Sequence, residues 1–139
     1  MYKEFINWNQ IEYAVADIAN FINNGNYSNY KIIGLPRGGL IPAVLLSHRT
    51  SLPLITKPEI NDHLIIIDDI IDSGETIIKT VNELKNWGIQ PVVCSLYYRL
   101  DNGFTPDWWV HGIKNDDPRW IQFPWELSAS QTIADYKNK

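Results

Sequence analysis

The sequence predicts an α/β domain built on a mainly parallel sheet flanked by helices, and three observations carry that expectation. Leu64-Ile65-Ile66-Ile67 is an unbroken run of branched apolar residues. Such a run suits a strand covered on both faces, as in parallel sheets. Strand-like and helix-like segments alternate along the chain. The 139 residues, 45% hydrophobic and 20% charged, suffice for one core and not comfortably for two. One domain over residues 1–139 is expected.

The first element is a helix. Asn7 or Asn9 can cap it, and Ile11, Ala14, Val15, Ile18, Ala19 and Ile22 recur at helical spacing. Asn23-Asn24-Gly25-Asn26 stops it. Tyr30 to Gly34 reads as a short buried strand, and Pro36-Arg37-Gly38-Gly39 as a turn. Leu40 to His48 reads as a helix, with Pro42 tolerated in its first turn. Leu52 to Thr56 reads as a short strand interrupted by Pro53, followed by a loop from Lys57 to Asp62. After the Leu64–Ile67 strand, Thr76 to Trp87 reads as a helix with Ile77, Val81 and Leu84 inward, ended by Gly88. Val92 to Tyr98 is a further strand, and Trp108 to Ile113 the last.

Several function classes drop out. The formal charge is -4, so no broad basic field exists to hold nucleic acid. The lone Cys94 permits neither an internal disulfide nor a multi-cysteine zinc site, and its apolar surroundings mark a buried structural thiol. No apolar stretch approaches the ~20 residues of a membrane span. Met1 to Trp8 lacks the basic start and apolar core of a signal peptide. A soluble cytoplasmic protein is expected. His48, His63 and His111 have no metal-triad spacing and read as structural residues.

In such sheets ligands sit beyond the carboxyl ends of the strands. The chemistry concentrates in the loop expected after the central strand: Asp68-Asp69-Ile70-Ile71-Asp72-Ser73-Gly74-Glu75-Thr76. A helix start offers unpaired N–H groups and a positive dipole end to a phosphate. Gly74 permits close backbone approach, and Ser73 and Thr76 add hydroxyl donors. Asp68 and Asp69 suit ribose hydroxyls or a hydrated Mg²⁺ rather than the phosphate itself. Asp72 is placed to exchange a proton with a base. Capping alone would explain one of these residues, not five. The Gly-x4-Gly-Lys-Ser/Thr pattern of a Walker loop is absent.

Four apolar residues, Asp-Asp, two apolar residues and Asp-Ser-Gly-x-Thr resemble the 5-phosphoribosyl-1-pyrophosphate (PRPP) signature of the type I phosphoribosyltransferases. The resemblance implies that fold, with a small C-terminal hood segment and with the Asp72–Thr76 stretch around the 5'-phosphate. It implies the acidic pair Asp68 and Asp69 at the ribose hydroxyls, with Asp69 meeting the metal. Glu75 takes the variable position, whose N–H is used while its side chain points away. Ile33-Gly34-Leu35-Pro36-Arg37-Gly38-Gly39 resembles the pyrophosphate loop of the xanthine–guanine members, often built on a non-proline cis peptide. Arg37 and the Gly38 backbone would hold pyrophosphate. Arg119 to Glu126 is similar to that group's purine-binding segment, in which Trp120 would stack on the base and the Ile121 backbone meet its edge. The opening Ile6-Asn7-Trp8 also resembles that group, so the likeness spans nearly the whole chain.

Two departures stand out. Family members carry a long flexible loop between the second and third strands, whereas here only Leu52 to His63 connects helix to strand. Arg99 replaces the lysine that meets purine O6, with a larger planar fork. The resemblance implies a Mg²⁺-dependent enzyme that joins a 6-oxopurine (guanine, xanthine or hypoxanthine) to PRPP. The products would be a nucleoside 5'-monophosphate and pyrophosphate. Asp72 would bond N7 and manage its proton, and the short connection implies either slow turnover or a lid borrowed from a neighbouring subunit. A homo-oligomer is expected, with no nucleic-acid or membrane partner. The alternative is a low-activity regulatory protein of the same fold that binds PRPP or nucleotide; hydrolysis of these ligands at an open site is a third reading.

Overall fold

The computed structural model describes residues 3–126. The two ends of the expected 1–139 domain, Met1 and Tyr2 included, lie outside the described residues. In chain order the elements are β1 (Lys3–Phe5), α1 (Trp8–Asn23), β2 (Lys31–Gly34), α2 (Leu40–Thr50), β3 (Leu64–Ile71), α3 (Glu75–Lys85), β4 (Val92–Arg99), β5 (Trp108–Ile113) and β6 (Trp120–Gln122).

The central sheet has the order β2-β3-β4-β5, with every neighbouring pair parallel. Its middle strand explains the apolar run. Ile65 and Ile67 enter one core with α1 and α2, among Ile11, Val15, Ile18 and Leu46. Leu64 and Ile66 enter a second core on the opposite face, with Ile77 and Leu84 of α3. Successive strand residues point to opposite faces, so the Leu64–Ile67 stretch, covered on both, is apolar throughout.

Asn7 caps helix α1. Its side chain accepts from Gln10 N–H at 2.9 Å, while the Gln10 side chain accepts from Asn7 N–H at 2.8 Å. This reciprocal pair satisfies two donors that a helix start leaves open. All six apolar residues expected on the inner face of α1 are buried. Pro42 sits in the first turn of α2, where no intrahelical N–H is lost.

The connection from β4 to β5 carries no helix. Residues 100–107 turn through positive φ at Asp101 and Gly103 and run back along the sheet. Eight residues span roughly 26 Å when extended, enough to retrace an eight-residue strand. Asp107 closes the return, donating its N–H to Val93 O and accepting from Val93 N–H through its carboxylate, both at 2.8 Å.

Three sequence expectations need correction. Asp68 and Asp69 lie on β3, not in a loop after it, because the strand continues its parallel register with β4 to Ile71 opposite Tyr98. Strands β1 and β6 form a separate two-stranded parallel sheet, with Lys3 opposite Trp120, so Trp108–Ile113 is not the last strand. Three-residue strands have too little periodicity to be read from sequence. Leu52–Thr56 contributes a single bridge, Leu54 with Ile32, rather than a strand.

Candidate active site

Residues 68–76 run from the end of β3 into α3. The Asp69 N–H donates to Asp68 Oδ1 at 2.9 Å, and the Ile70 N–H to Asp69 Oδ1 at 2.7 Å. Each carboxyl is therefore fixed by the next peptide. Burial pushes Asp68 well above the usual carboxylate range, and the neighbouring Asp69 charge pushes it further. Burial also raises Asp69, although hydrogen bonds from Asp68 and the Ile70 N–H oppose the rise.

The Pro36–Arg37 peptide is cis. The turn it belongs to meets the acidic pair at Gly38. A Cβ on Gly38 would lie 1.8 Å from Asp69 Oδ2, so only glycine lets the two approach. Gly39 is equally confined, because a Cβ there would lie 2.6 Å from Leu35 O and 2.7 Å from Ile67 O. Arg37 itself is exposed.

Beyond β3 the chain opens into a turn. Ser73, Glu75 and Thr76 are exposed, and Gly74 is buried with φ 83°. Gly74 occupies the N-cap of α3 and has no side chain to cap it; Ser73 Oγ accepts from the Glu75 N–H at a long 3.4 Å. The Glu75 side chain lies on the outer surface of α3 beside Ile78 and Lys79.

Asp72 is tied to Arg99 at the end of β4. Arg99 Nε donates to Asp72 Oδ1 at 2.5 Å, and Nη1 donates to the carbonyls of Lys114 at 2.9 Å and Asp117 at 2.8 Å. The chain of ion pairs continues. Asp117 Oδ2 accepts from Arg119 Nε at 2.9 Å, and Arg119 Nη1 reaches Glu4 Oε1 at 2.6 Å. The Arg119 N–H and side chain together hold the Asp117 carboxyl below the ordinary range. Arg119 is followed by Trp120, half-buried, and Ile121, buried, on β6. Asp72, Arg99 and the Trp120 segment are thus brought to one place through polar contacts. His48, His63 and His111 are all exposed.

Residues 51–63 do not hang free over this site. Pro53 O accepts from Ile32 N–H at 2.8 Å, and Ile55 N–H donates back to Ile32 O at 2.9 Å. Asn61 N–H donates to Trp87 O, and Asp62 holds Lys31 at 2.9 Å. The segment is a strap stitched to the edge of β2.

Comparison with known proteins matches the phosphoribosyl transferase domain model to residues 47–132, more than half of the chain. The chain belongs to the phosphoribosyl transferase domain family. It is a phosphoribosyltransferase, and its fold is the type I fold of that family. It is 20% identical to the xanthine-guanine phosphoribosyltransferase of Cereibacter sphaeroides, covering 96% of this chain and 92% of that one. It is 24% identical to the enzyme of the same name from Gluconobacter oxydans, covering 88% and 84%. The crystal structure of a purine phosphoribosyltransferase from Pyrococcus horikoshii superposes with a TM-score of 0.80 at 28% identity, covering 94% of this chain and 99% of that chain.

In this phosphoribosyltransferase Asn102 escaped the sequence reading, and Glu126 entered it only as the last residue of the Arg119–Glu126 segment, with no role of its own. Asn102 donates its side-chain N–H to the Asp72 carbonyl at 2.7 Å. It lies on the helix-less β4–β5 return, which no periodicity marks. Glu126 accepts from Phe123 N–H at 2.8 Å, and its carboxyl is raised by burial first and by the Asp69 charge as well, with Lys3 and Arg37 opposing. Its place beside Asp69 and Arg37 follows from tertiary packing and has no local sequence signal. Among the described residues no helix is long and apolar enough to cross a membrane.

Proposed function

We propose that this enzyme is a purine phosphoribosyltransferase that transfers the 5-phosphoribosyl group of PRPP to a 6-oxopurine, releasing pyrophosphate and a nucleoside 5'-monophosphate. One observation carries the reading: Asp69 and Gly38 meet so closely that a Cβ would not fit between them. That contact joins the two segments resembling the PRPP and pyrophosphate loops. The likeness to xanthine-guanine and purine phosphoribosyltransferases supports the choice of a 6-oxopurine as the base.

The 5'-phosphate would rest on the main-chain N–H groups from Ser73 to Thr76, at the start of α3, with the Ser73 and Thr76 hydroxyls adding donors. Asp68 and Asp69 would accept from the ribose hydroxyls. Arg37 and the Gly38 N–H would hold pyrophosphate. Trp120 would stack on the purine, with the Ile121 backbone at its edge. Asp72 Oδ1 already accepts from Arg99, so Oδ2 would accept the N7–H of the base. As the imidazole nitrogen bonds to C1 of the ribose, the C1–O bond to pyrophosphate breaks and Asp72 takes the departing proton. Arg99 would offer its remaining Nη2 to the oxygen at C6.

The donor set fits Mg²⁺. Two crowded carboxyls with raised proton affinity are hard oxygen donors that gain from a cation. Among the described residues no group of three or more His, Cys, Asp or Glu can hold a metal alone. That suits an ion held by one carboxylate, here Asp69, together with PRPP oxygens and water. Bound Mg²⁺ supplies charge neutralisation on the pyrophosphoryl oxygens. A strap held to β2 would leave the sugar open to water, which favours slow turnover. Leu40 and Val44, one turn apart on α2 and 44% and 43% exposed, favour a homo-oligomer. We place the enzyme in the cytoplasm.

A spectrophotometric assay with PRPP, Mg²⁺ and guanine, xanthine, hypoxanthine or adenine tests the proposal. Nucleotide should form from at least one 6-oxopurine, and Asp72→Asn should cut turnover about 100-fold while nucleotide binding persists. PRPP binding without product from any base would identify a binding protein instead. Product from adenine alone would overturn the base class.

A further inference from the structure

The Asp72–Thr76 turn is held from outside its own segment. Beyond Arg99 the chain reverses through Leu100–Phe104, and this corner is itself fixed. Leu100 N–H donates to Ile113 O at 2.8 Å, and the Tyr98 hydroxyl to Phe104 O at 2.5 Å. Within the corner the Asn102 amide uses both ends. Its Oδ1 accepts from Phe104 N–H at 2.9 Å, and its Nδ2 donates to the Asp72 carbonyl at 2.7 Å. The same amide faces Gly74: a Cβ added there would meet Asn102 Cγ and Oδ1 at 3.5 Å and Nδ2 at 3.6 Å. Asn102 therefore bonds the first residue of the turn and borders the space beside the third.

We infer that Asn102 is a positioning residue for phosphoribosyl binding, setting the Asp72–Gly74 backbone so that the amides following it converge on a phosphate. Gly74 sits at φ 83° with no side-chain cap, and the bond within the turn, from Glu75 N–H to Ser73 Oγ, is a long 3.4 Å, so the 2.7 Å bond from Asn102 adds the firmer constraint from outside. The donor end does the positioning, and the acceptor end only orients the amide within its own corner. The role of the turn in holding phosphate rests on the proposed function; the clamp itself does not.

The experiment separates the two ends. Asn102→Asp keeps the acceptor for Phe104 and loses the donor; Asn102→Ala loses both. Amide hydrogen exchange of residues 73–76 in the ligand-free protein should quicken about threefold to tenfold in both variants, as loss of one net hydrogen bond implies. The PRPP dissociation constant, measured by calorimetry with Mg²⁺, should rise by a similar factor in both, while the KM for base and the exchange of Leu64–Ile67 stay put. An Asn102→Asp variant indistinguishable from wild type in exchange would overturn the inference, since its acceptor is intact. A uniform increase in exchange across β3 would overturn it too, marking a merely structural brace. If wild type fails to bind PRPP, the functional reading falls, and exchange of the turn still decides the clamp.

Discussion

The two halves of the candidate site are built in opposite ways. The phosphoribosyl half is almost contiguous: Asp68 to Thr76 leave one strand and start one helix, and the Arg37-Gly38 turn ends the adjacent strand. The base half is assembled from distant pieces. Arg99 reaches back to Asp72, and Arg119 bonds Glu4 across 115 positions of sequence. Their electrostatics differ as well. In the base half every named charge has an opposite partner, from Asp72 through Arg99 and from Asp117 through Arg119 to Glu4. In the phosphoribosyl half two carboxyls are pressed together, each raised by burial. The half proposed to receive a cation and a sugar crowds two carboxyls together, whereas the half proposed to receive a neutral ring pairs Asp72 with Arg99 and Asp117 with Arg119.

The largest effect should come from breaking the close approach within the first half. Gly38→Ala places a Cβ 1.8 Å from Asp69 Oδ2, so either the turn or the carboxylate must move. Overpacking of this kind costs about 1–3 kcal/mol, and the displaced groups are those proposed to hold PRPP. Turnover should fall more than 100-fold, with the dissociation constant of the free base nearly unchanged. Steady-state kinetics and base calorimetry check this. Retained activity with intact stability would mean that the contact is dispensable.

The same contrast explains what was legible in the sequence. The phosphoribosyl half declared itself because its residues are consecutive and each type has a chemical reason at its position. Even there the boundary was misplaced: strand register with β4, a tertiary property, carries the acidic pair onto β3. The helices were legible because six apolar residues of α1 repeat at helical spacing and Asn7 and Gln10 form their capping pair within the segment. The base half was legible only as separate pieces. Nothing local says that Arg99 will take its acceptors from the Lys114 and Asp117 carbonyls. Nor does anything local say that Lys3–Phe5 will pair with Trp120–Gln122. Asn102 was invisible for the same reason, since its partners are a carbonyl and a glycine some thirty residues away.

A smaller effect should sharpen the division of labour. Trp120→Ala removes a stacking surface worth about 1–3 kcal/mol per base. The KM for the purine should rise about tenfold, while the KM for PRPP should change less than twofold. The selectivity of that loss is the point. Equal losses on both substrates would show that Trp120 supports the whole site through the β1–β6 sheet rather than one ring through its face.

The smallest effect tests the electrostatic contrast directly. Asp68 is raised by burial and by Asp69, so the folded protein binds its proton more tightly than the unfolded chain. Such a group stabilises the fold below the ordinary carboxylate value near 4, and that contribution is lost as pH rises through the raised folded value. Asp68→Asn keeps the Oδ1 that accepts from the Asp69 N–H and removes the charge. The variant should melt a few degrees above wild type at neutral pH, the shift expected for about 1 kcal/mol in a domain of this size. The gain should shrink as pH falls and vanish near pH 4, where wild type also carries the proton. Melting curves from pH 4 to 7.5 in metal-free buffer measure it. A gain independent of pH would point to packing rather than charge, and a loss at neutral pH would mean that the Asp68 carboxylate is already compensated.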